Sequence, residues 1–279
     1  MGFEINSFRQ VDIILNCRLL WDTDREERCF MRVFLTSSPG GSYKDEFGVH
    51  IPCELDQSNG FVMKLKEYWP NEATGLIVAA YPEDAVINDS LRSQIPESFW
   101  MSGLPFSNLE VCDARNEGQV RQLVNESNVI ILTGGHVPTQ NEFFWRIRLN
   151  EVLHDYQGIV IGISAGSMNS ARIVYAQPEE EGEAVDPRYK RYLDGLGLTD
   201  VRILPHYQYY KGLTLDGKRV FEDICIPDSR IRSFYALVDG SYVFIDKDGT
   251  TMLYGEAYLL EDGFEKKVCE RNQKMRILN

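Results

Sequence analysis

The sequence predicts an α/β fold, doubly wound, with a mostly parallel sheet flanked by helices and C-terminal antiparallel hairpins extending one edge. Three observations carry this. Short runs such as Val129–Leu132 and Ile159–Ile163 are apolar throughout rather than alternating, as in strands covered on both faces. Segments with helical spacing separate these runs, the pattern of βαβ units. The last third changes character, with short apolar runs punctuated by Asp-Gly pairs, which are hairpin signals.

Residues 1–30 read as an N-terminal extension and residues 31–279 as a single domain. The apolar run 29–36 predicts the first buried strand, closed by Ser-Ser-Pro-Gly-Gly. Residues 59–69 carry Phe61, Leu65 and Trp69 at helical spacing. Strands are expected at 75–80, 109–112, 129–132 and 158–163, with helices at 89–101, 117–125 and 141–156 between them. A helix is expected over 167–176, and 177–195 reads as a surface excursion close to the active site. A short strand follows at 201–204. The runs 234–238, 242–246 and 251–254, separated by Asp239-Gly240 and Asp248-Gly249, predict an antiparallel meander.

Composition narrows the function. With 279 residues and 43% hydrophobic content the chain can bury one substantial core, and no apolar run is long enough for a membrane-spanning helix. The 29 basic residues are outnumbered by 42 acidic ones and form no cluster, which argues against nucleic acid or anionic membranes as partners. The six cysteines are scattered without a C-x-x-C pair, so a structural zinc site has no support. Reduced thiols in a cytoplasmic protein are expected, and the N-terminus lacks the pattern of a signal peptide.

The strongest chemical signal is Gly162-Ile163-Ser164-Ala165-Gly166. G-x-S-x-G alone is weak. Placed directly after a buried strand and before a helix, it becomes the setting of a nucleophile elbow. The serine must sit on a tight turn so that its hydroxyl stands above the sheet, and glycines on either side leave room for the neighbouring backbone. Free N–H groups at the start of the helix then face the developing oxyanion.

A serine hydroxyl needs a base. Of the four histidines, His50 lies in a polar region, His154 falls within an amphipathic helix, and His136 follows Gly134-Gly135 and could line a pocket. His206 ends a short apolar strand, where catalytic groups of parallel sheets gather, and is the expected base. The acid that orients it is open on spacing alone. Asp239, Asp200, Glu179, Glu180 and Glu181 are the candidates, and Asp239-Gly240 reads equally as a hairpin turn.

Taken together, Leu132-Thr133-Gly134-Gly135, Gly162-Ile163-Ser164-Ala165-Gly166-Ser167, Leu204-Pro205-His206-Tyr207 and Leu237-Val238-Asp239-Gly240 resemble peptidase family S51, which includes aspartyl dipeptidase (peptidase E) and cyanophycinase. The resemblance runs from about Met31 to Tyr254 and implies a fold like that of class I glutamine amidotransferases. It implies Ser164 as nucleophile, His206 as general base, Asp239 as the orienting acid, and an oxyanion hole from the N–H groups of Gly135 and Ala165. It implies a serine peptidase acting on small peptides, aspartyl dipeptides foremost, without metal or cofactor. His136 stands where the family often carries Asn, next to the expected substrate pocket.

A substrate carboxylate would need a cation, and Arg172, Arg188, Arg191 and Lys211 lie in suitable segments. Gly134, His136 and Arg172 are the substrate-binding candidates. A small peptide is the expected partner, with a homodimer left open. A serine esterase and a non-catalytic amidotransferase-like binding domain are the rival readings.

Overall fold

The computed structural model describes residues 31–278, so the N-terminal extension at 1–30 lies outside the described residues. In chain order the first half runs β1 (Arg32–Thr36), β2 (Gly40–Lys44), β3 (His50–Leu55), α1 (Phe61–Lys66), β4 (Ala73–Val78), α2 (Ala85–Met101), β5 (Phe106–Cys112), α3 (Val120–Asn125) and β6 (Val129–Leu132). It continues with α4 (Val137–Arg146), α5 (Leu149–Val152), β7 (Ile159–Ile163), α6 (Ala165–Asn169), β8 (Ile173–Tyr175), β9 (Tyr192–Asp194), β10 (Ile203–Leu204) and α7 (Tyr207–Tyr210). The remainder comprises β11 (Thr214–Leu215), β12 (Lys218–Arg219), α8 (Ile226–Asp228), β13 (Phe234–Leu237), β14 (Tyr242–Ile245), β15 (Thr251–Tyr254), β16 (Ala257–Glu261), β17 (Phe264–Cys269) and β18 (Lys274–Ile277).

Eight strands form the large sheet in the order β18-β15-β14-β1-β7-β6-β4-β5. From β1 to β5 all pairings are parallel, and β14, β15 and β18 continue it antiparallel beyond β1. The apolar runs of the parallel strands serve two cores at once. Val33 and Leu35 point to one and Phe34 to the other; Ile130 and Leu132 oppose Val129 and Ile131 in the same way. The first core is closed by Phe143, Phe144 and Met168, and the second by Phe61, Leu65 and Phe99. Helices therefore cover both faces, the physical reason these strands tolerate no polar alternation.

A second sheet, β10-β13-β16-β17, has its own core around Leu204, Tyr210, Phe221, Phe234 and Ala236. Here the structure departs from the expected meander. β13 pairs with β10 and β16 in the small sheet, whereas β14 and β15 join the large one. Asp239-Gly240 is thus a turn between two sheets, with Ser241 N–H donating to the Val238 carbonyl at 2.9 Å, and not a hairpin. Asp248-Gly249 does close a hairpin, β14 to β15.

Two expected helices are shorter than their apolar spacing implies. The helix over 141–156 spans Val137–Arg146 and restarts after Arg148, whose φ of 51° breaks the ladder. The helix over 167–176 ends at Asn169, and Ile173–Tyr175 is instead a strand paired with Tyr192–Asp194. Its β-branched and aromatic side chains suit that state.

Candidate active site

Parallel strands end on a common edge, and the loops that leave it after β1, β6 and β7 meet there. The turn after β7 is the tightest. Ser164 has φ 49° and ψ −110°, a conformation that costs roughly 1–3 kcal/mol and persists only where the surroundings enforce it. Those surroundings are visible. A Cβ on Gly166 would lie 2.1 Å from the Leu132 carbonyl oxygen, and one on Gly162 would lie 2.7 Å from the Ser167 Cα. Thr36 locks the turn from β1: its hydroxyl donates to the Gly162 carbonyl at 2.8 Å, and its carbonyl accepts from the Ser167 hydroxyl at 2.8 Å.

The loop after β6 closes over this turn. A Cβ on Gly134 would sit 3.4 Å from that of Ser164, and one on Gly135 would meet the Ala80 Cβ at 2.5 Å and the Tyr81 ring at 2.8 Å. Only bare backbone fits at Gly135. Among the described residues, the Gly135 and Ala165 N–H groups take no part in the backbone hydrogen bonds of the turns and loops.

His206 follows β10 and has a left-handed backbone, φ 54° and ψ 41°. Its Nε2 lies 2.9 Å from Ser164 Oγ and its Nδ1 lies 2.7 Å from Asp239 Oδ1. Asp239 also accepts from Ser37 Oγ at 2.7 Å and from the Gln208 side-chain amide, while its own N–H donates to Gln208 Oε1 at 3.2 Å. Desolvation works against the Asp239 charge, but the hydrogen bonds from His206, Ser37 and Gln208 outweigh it and hold the carboxyl below the ordinary carboxylate range. The three side chains thus form an alcohol–imidazole–carboxylate line, an arrangement that can transfer a proton from a hydroxyl as it attacks a carbonyl.

His136 is placed beside this line rather than in it. Its N–H donates to Tyr81 Oη at 3.0 Å, its Nδ1 lies 2.8 Å from Thr139 Oγ1, and its Nε2 lies 2.8 Å from Glu183 Oε1. The excursion 177–195 is therefore anchored on the loop that carries Gly135. Within it, burial pushes the Glu179 carboxyl up, although Tyr210 Oη donates to it at 2.7 Å. His136, Glu180 and Glu183 bring ligand-type atoms within 4.8 Å of one another. Glu183 is nonetheless satisfied without an ion, since its second oxygen accepts the N–H groups of Glu179 and Glu180 at 2.8 and 3.0 Å.

The structure gives the four sequence-proposed cations acidic partners. Arg172 bonds Asp200, Arg188 bonds Asp186, Arg191 lies 3.4 Å from Asp228, and Lys211 lies 2.7 Å from Glu265. None of these ion pairs includes a member of the Ser164–His206–Asp239 line. Of the other acid candidates, Asp200 is taken up by Arg172 and Glu179 by Tyr210. Sequence reasoning did not single out Ser37 or Gln208. The polar Ser37-Ser38 pair closing an apolar strand, and Gln208 two residues after His206, were the available signals.

The fold is a mostly parallel α/β sheet, and the family match makes the chain a hydrolase of the peptidase class. The chain belongs to peptidase family S51, whose family model matches residues 88–253 and so spans Ser164, His206 and Asp239. Among solved structures it is similar to a peptidase from an acI-B1 Actinobacterium, at 15% identity and TM-score 0.59, covering 91% of this chain and 99% of that one. It is also similar to a putative peptidase E protein from Listeria monocytogenes EGD-e, at 17% identity and TM-score 0.50, covering 85% of this chain and 98% of that one. At such identities the likeness is one of fold. No curated protein matches the chain. Among the described residues, no helix is long and apolar enough to cross a membrane.

Proposed function

We propose that the chain is a serine peptidase that cleaves an amide bond in small peptides through Ser164, His206 and Asp239. The observation that carries this reading is the pair of contacts on one imidazole, 2.9 Å to Ser164 Oγ and 2.7 Å to Asp239 Oδ1. His206 Nε2 takes the hydroxyl proton as Ser164 Oγ attacks the carbonyl carbon. Asp239 holds Nδ1–H and so selects the tautomer whose Nε2 is free to accept. The N–H groups of Gly135 and Ala165 receive the tetrahedral oxyanion, each such donor contributing about 3–4 kcal/mol in comparable sites. His206 then passes its proton to the leaving amine, the C–N bond breaks, and an acyl-Ser164 ester remains. Water, deprotonated by His206, attacks that ester and restores the serine.

Aspartyl dipeptides are the first substrates to try, on the strength of the family. An aspartyl carboxylate bound by Arg172, Arg188, Arg191 or Lys211 would have to compete with the acid already paired there, such as Glu265 on Lys211. The test is hydrolysis of Asp-X and Ala-X dipeptides and of a p-nitrophenyl ester, with fluorophosphonate labelling of Ser164 in parallel. We expect the wild type to cleave a dipeptide and take up the probe, and Ser164→Ala to do neither, with a loss of at least about 10⁴-fold. Ester cleavage without peptide cleavage would replace the peptidase by an esterase. A folded wild type that takes up no probe would remove the catalytic reading.

A further inference from the structure

The three reacting side chains do not share a sheet. Ser164 stands at the end of β7 in the large sheet, whereas His206 and Asp239 follow β10 and β13 of the small one. The 2.9 Å contact between Ser164 and His206 therefore spans a junction between two sheets. Ile203, Leu237 and Ala257 of the small sheet pack there on the core of the large one, but such apolar packing is undirected. A displacement of even about 1 Å at such a contact costs on the order of 100-fold in rate. Something must hold the junction in register.

Ser37 is at that junction. It follows β1, the neighbour of β7 in the large sheet, and is fully buried. Its hydroxyl oxygen accepts the His206 N–H at 2.7 Å, and its proton goes to Asp239 Oδ1 at 2.7 Å. The Leu237 carbonyl, at 3.2 Å, is the weaker alternative acceptor, because a bond to a carboxylate is charge-assisted. The backbone continues the seam: Ser37 N–H donates to the Ser241 carbonyl at 3.1 Å, and Gly240 N–H to the Ser38 carbonyl at 3.0 Å.

We propose that Ser37 is a positioning residue for the reaction, its single hydroxyl pinning the His206 backbone and the Asp239 carboxylate to the sheet that carries Ser164. This rests on the peptidase reading above. Neither partner is well placed to replace the bond. The left-handed backbone of His206 is held at its N–H, and Asp239 Oδ1 already serves the imidazole. Removing the hydroxyl leaves a donor without an acceptor and the carboxylate with one support fewer, so the imidazole is free to drift from Ser164 Oγ. The loop that carries Gly135 takes no part in the Ser37 bonds.

The test is the kinetics of fluorophosphonate labelling of Ser164 in the full chain, resolved into the maximal rate kinact and the half-saturating concentration KI. Ser37→Ala is expected to lower kinact by about 10- to 100-fold with KI within about twofold of wild type. Ser37→Thr, which restores the hydroxyl, is expected to recover most of the loss. An unchanged kinact in Ser37→Ala would overturn the proposal. So would kinact and KI losses that move together and persist in Ser37→Thr, the result of mere packing damage. Should Ser37→Ala fail to fold, Ser37→Cys, whose thiol is a poor donor and acceptor, takes its place, and a wild-type kinact there would have the same force. A wild type that labels at Ser164 while Ser37→Ala labels equally fast sinks the positioning role alone. A wild type that does not label sinks the peptidase reading and this inference with it.

Discussion

The Ser164 side and the His206–Asp239 side of this site are held by different physics. Around Ser164 the restraint is chiefly steric, with two hydrogen bonds from and to Thr36 added to it. Gly162 and Gly166 are pressed against neighbouring main chain, and the turn has no room to relax. Around His206 and Asp239 the restraint is a set of directed hydrogen bonds from Ser37 and Gln208, on a sheet whose first strand, β10, is Ile203–Leu204 alone. The first kind of support is rigid and lost all at once. The second can be weakened one bond at a time, so damage on the two sides should separate into loss of folding and loss of rate.

Three substitutions or conditions sharpen that contrast, from the largest effect to the smallest. Asp239→Asn keeps the shape but favours the wrong imidazole tautomer. We expect peptide hydrolysis to fall by about 10⁴-fold in steady-state assays while the protein stays folded. On the other side, Gly166→Ala puts a methyl group 2.1 Å from the Leu132 carbonyl oxygen, which is backbone and cannot step aside. Urea denaturation should register a loss of about 3 kcal/mol or more, with activity lost along with the fold. If Gly166→Ala were as stable as wild type, the steric account of the elbow would be wrong.

The smallest effect is on stability against pH. The Asp239 carboxyl is held below its ordinary value, so its ionised form stabilises the fold above the unfolded value of about 3.9, and that contribution disappears as pH falls through the lower folded value. Its side chain is 39% exposed, so solvent screens much of the effect. Thermal midpoints of wild type and Asp239→Asn should differ slightly at pH 7 and converge below about pH 4.

The contrast also explains how much of the molecule is legible in its sequence. The elbow is local: five consecutive residues and the apolar strand before them specify it, and the sterics follow from having no side chain at Gly162 and Gly166. The parallel half of the large sheet was legible for the same reason, since runs apolar on both faces admit few other states. The small sheet was not. Asp239-Gly240 has the composition of a hairpin turn, and nothing nearby in the chain reveals that the strands flanking it belong to different sheets. The Asp-Gly pairs with left-handed backbone at both residues are Asp216-Gly217 and Asp262-Gly263, which close the β11–β12 and β16–β17 hairpins. Asp239 lacks that conformation, and its side chain bonds His206 and its N–H bonds Gln208. Ser37 was hidden by distance: its partners lie 169 and 202 positions away.

The excursion that ends at β9 gives the molecule one more property. Glu183 grips His136, and His136 is joined directly to Gly135. The segment 177–195 and the loop after β6 are therefore tied to each other beside Ser164. A change at Glu183 thus acts on the loop that carries Gly135 without touching Ser164, His206 or Asp239 directly.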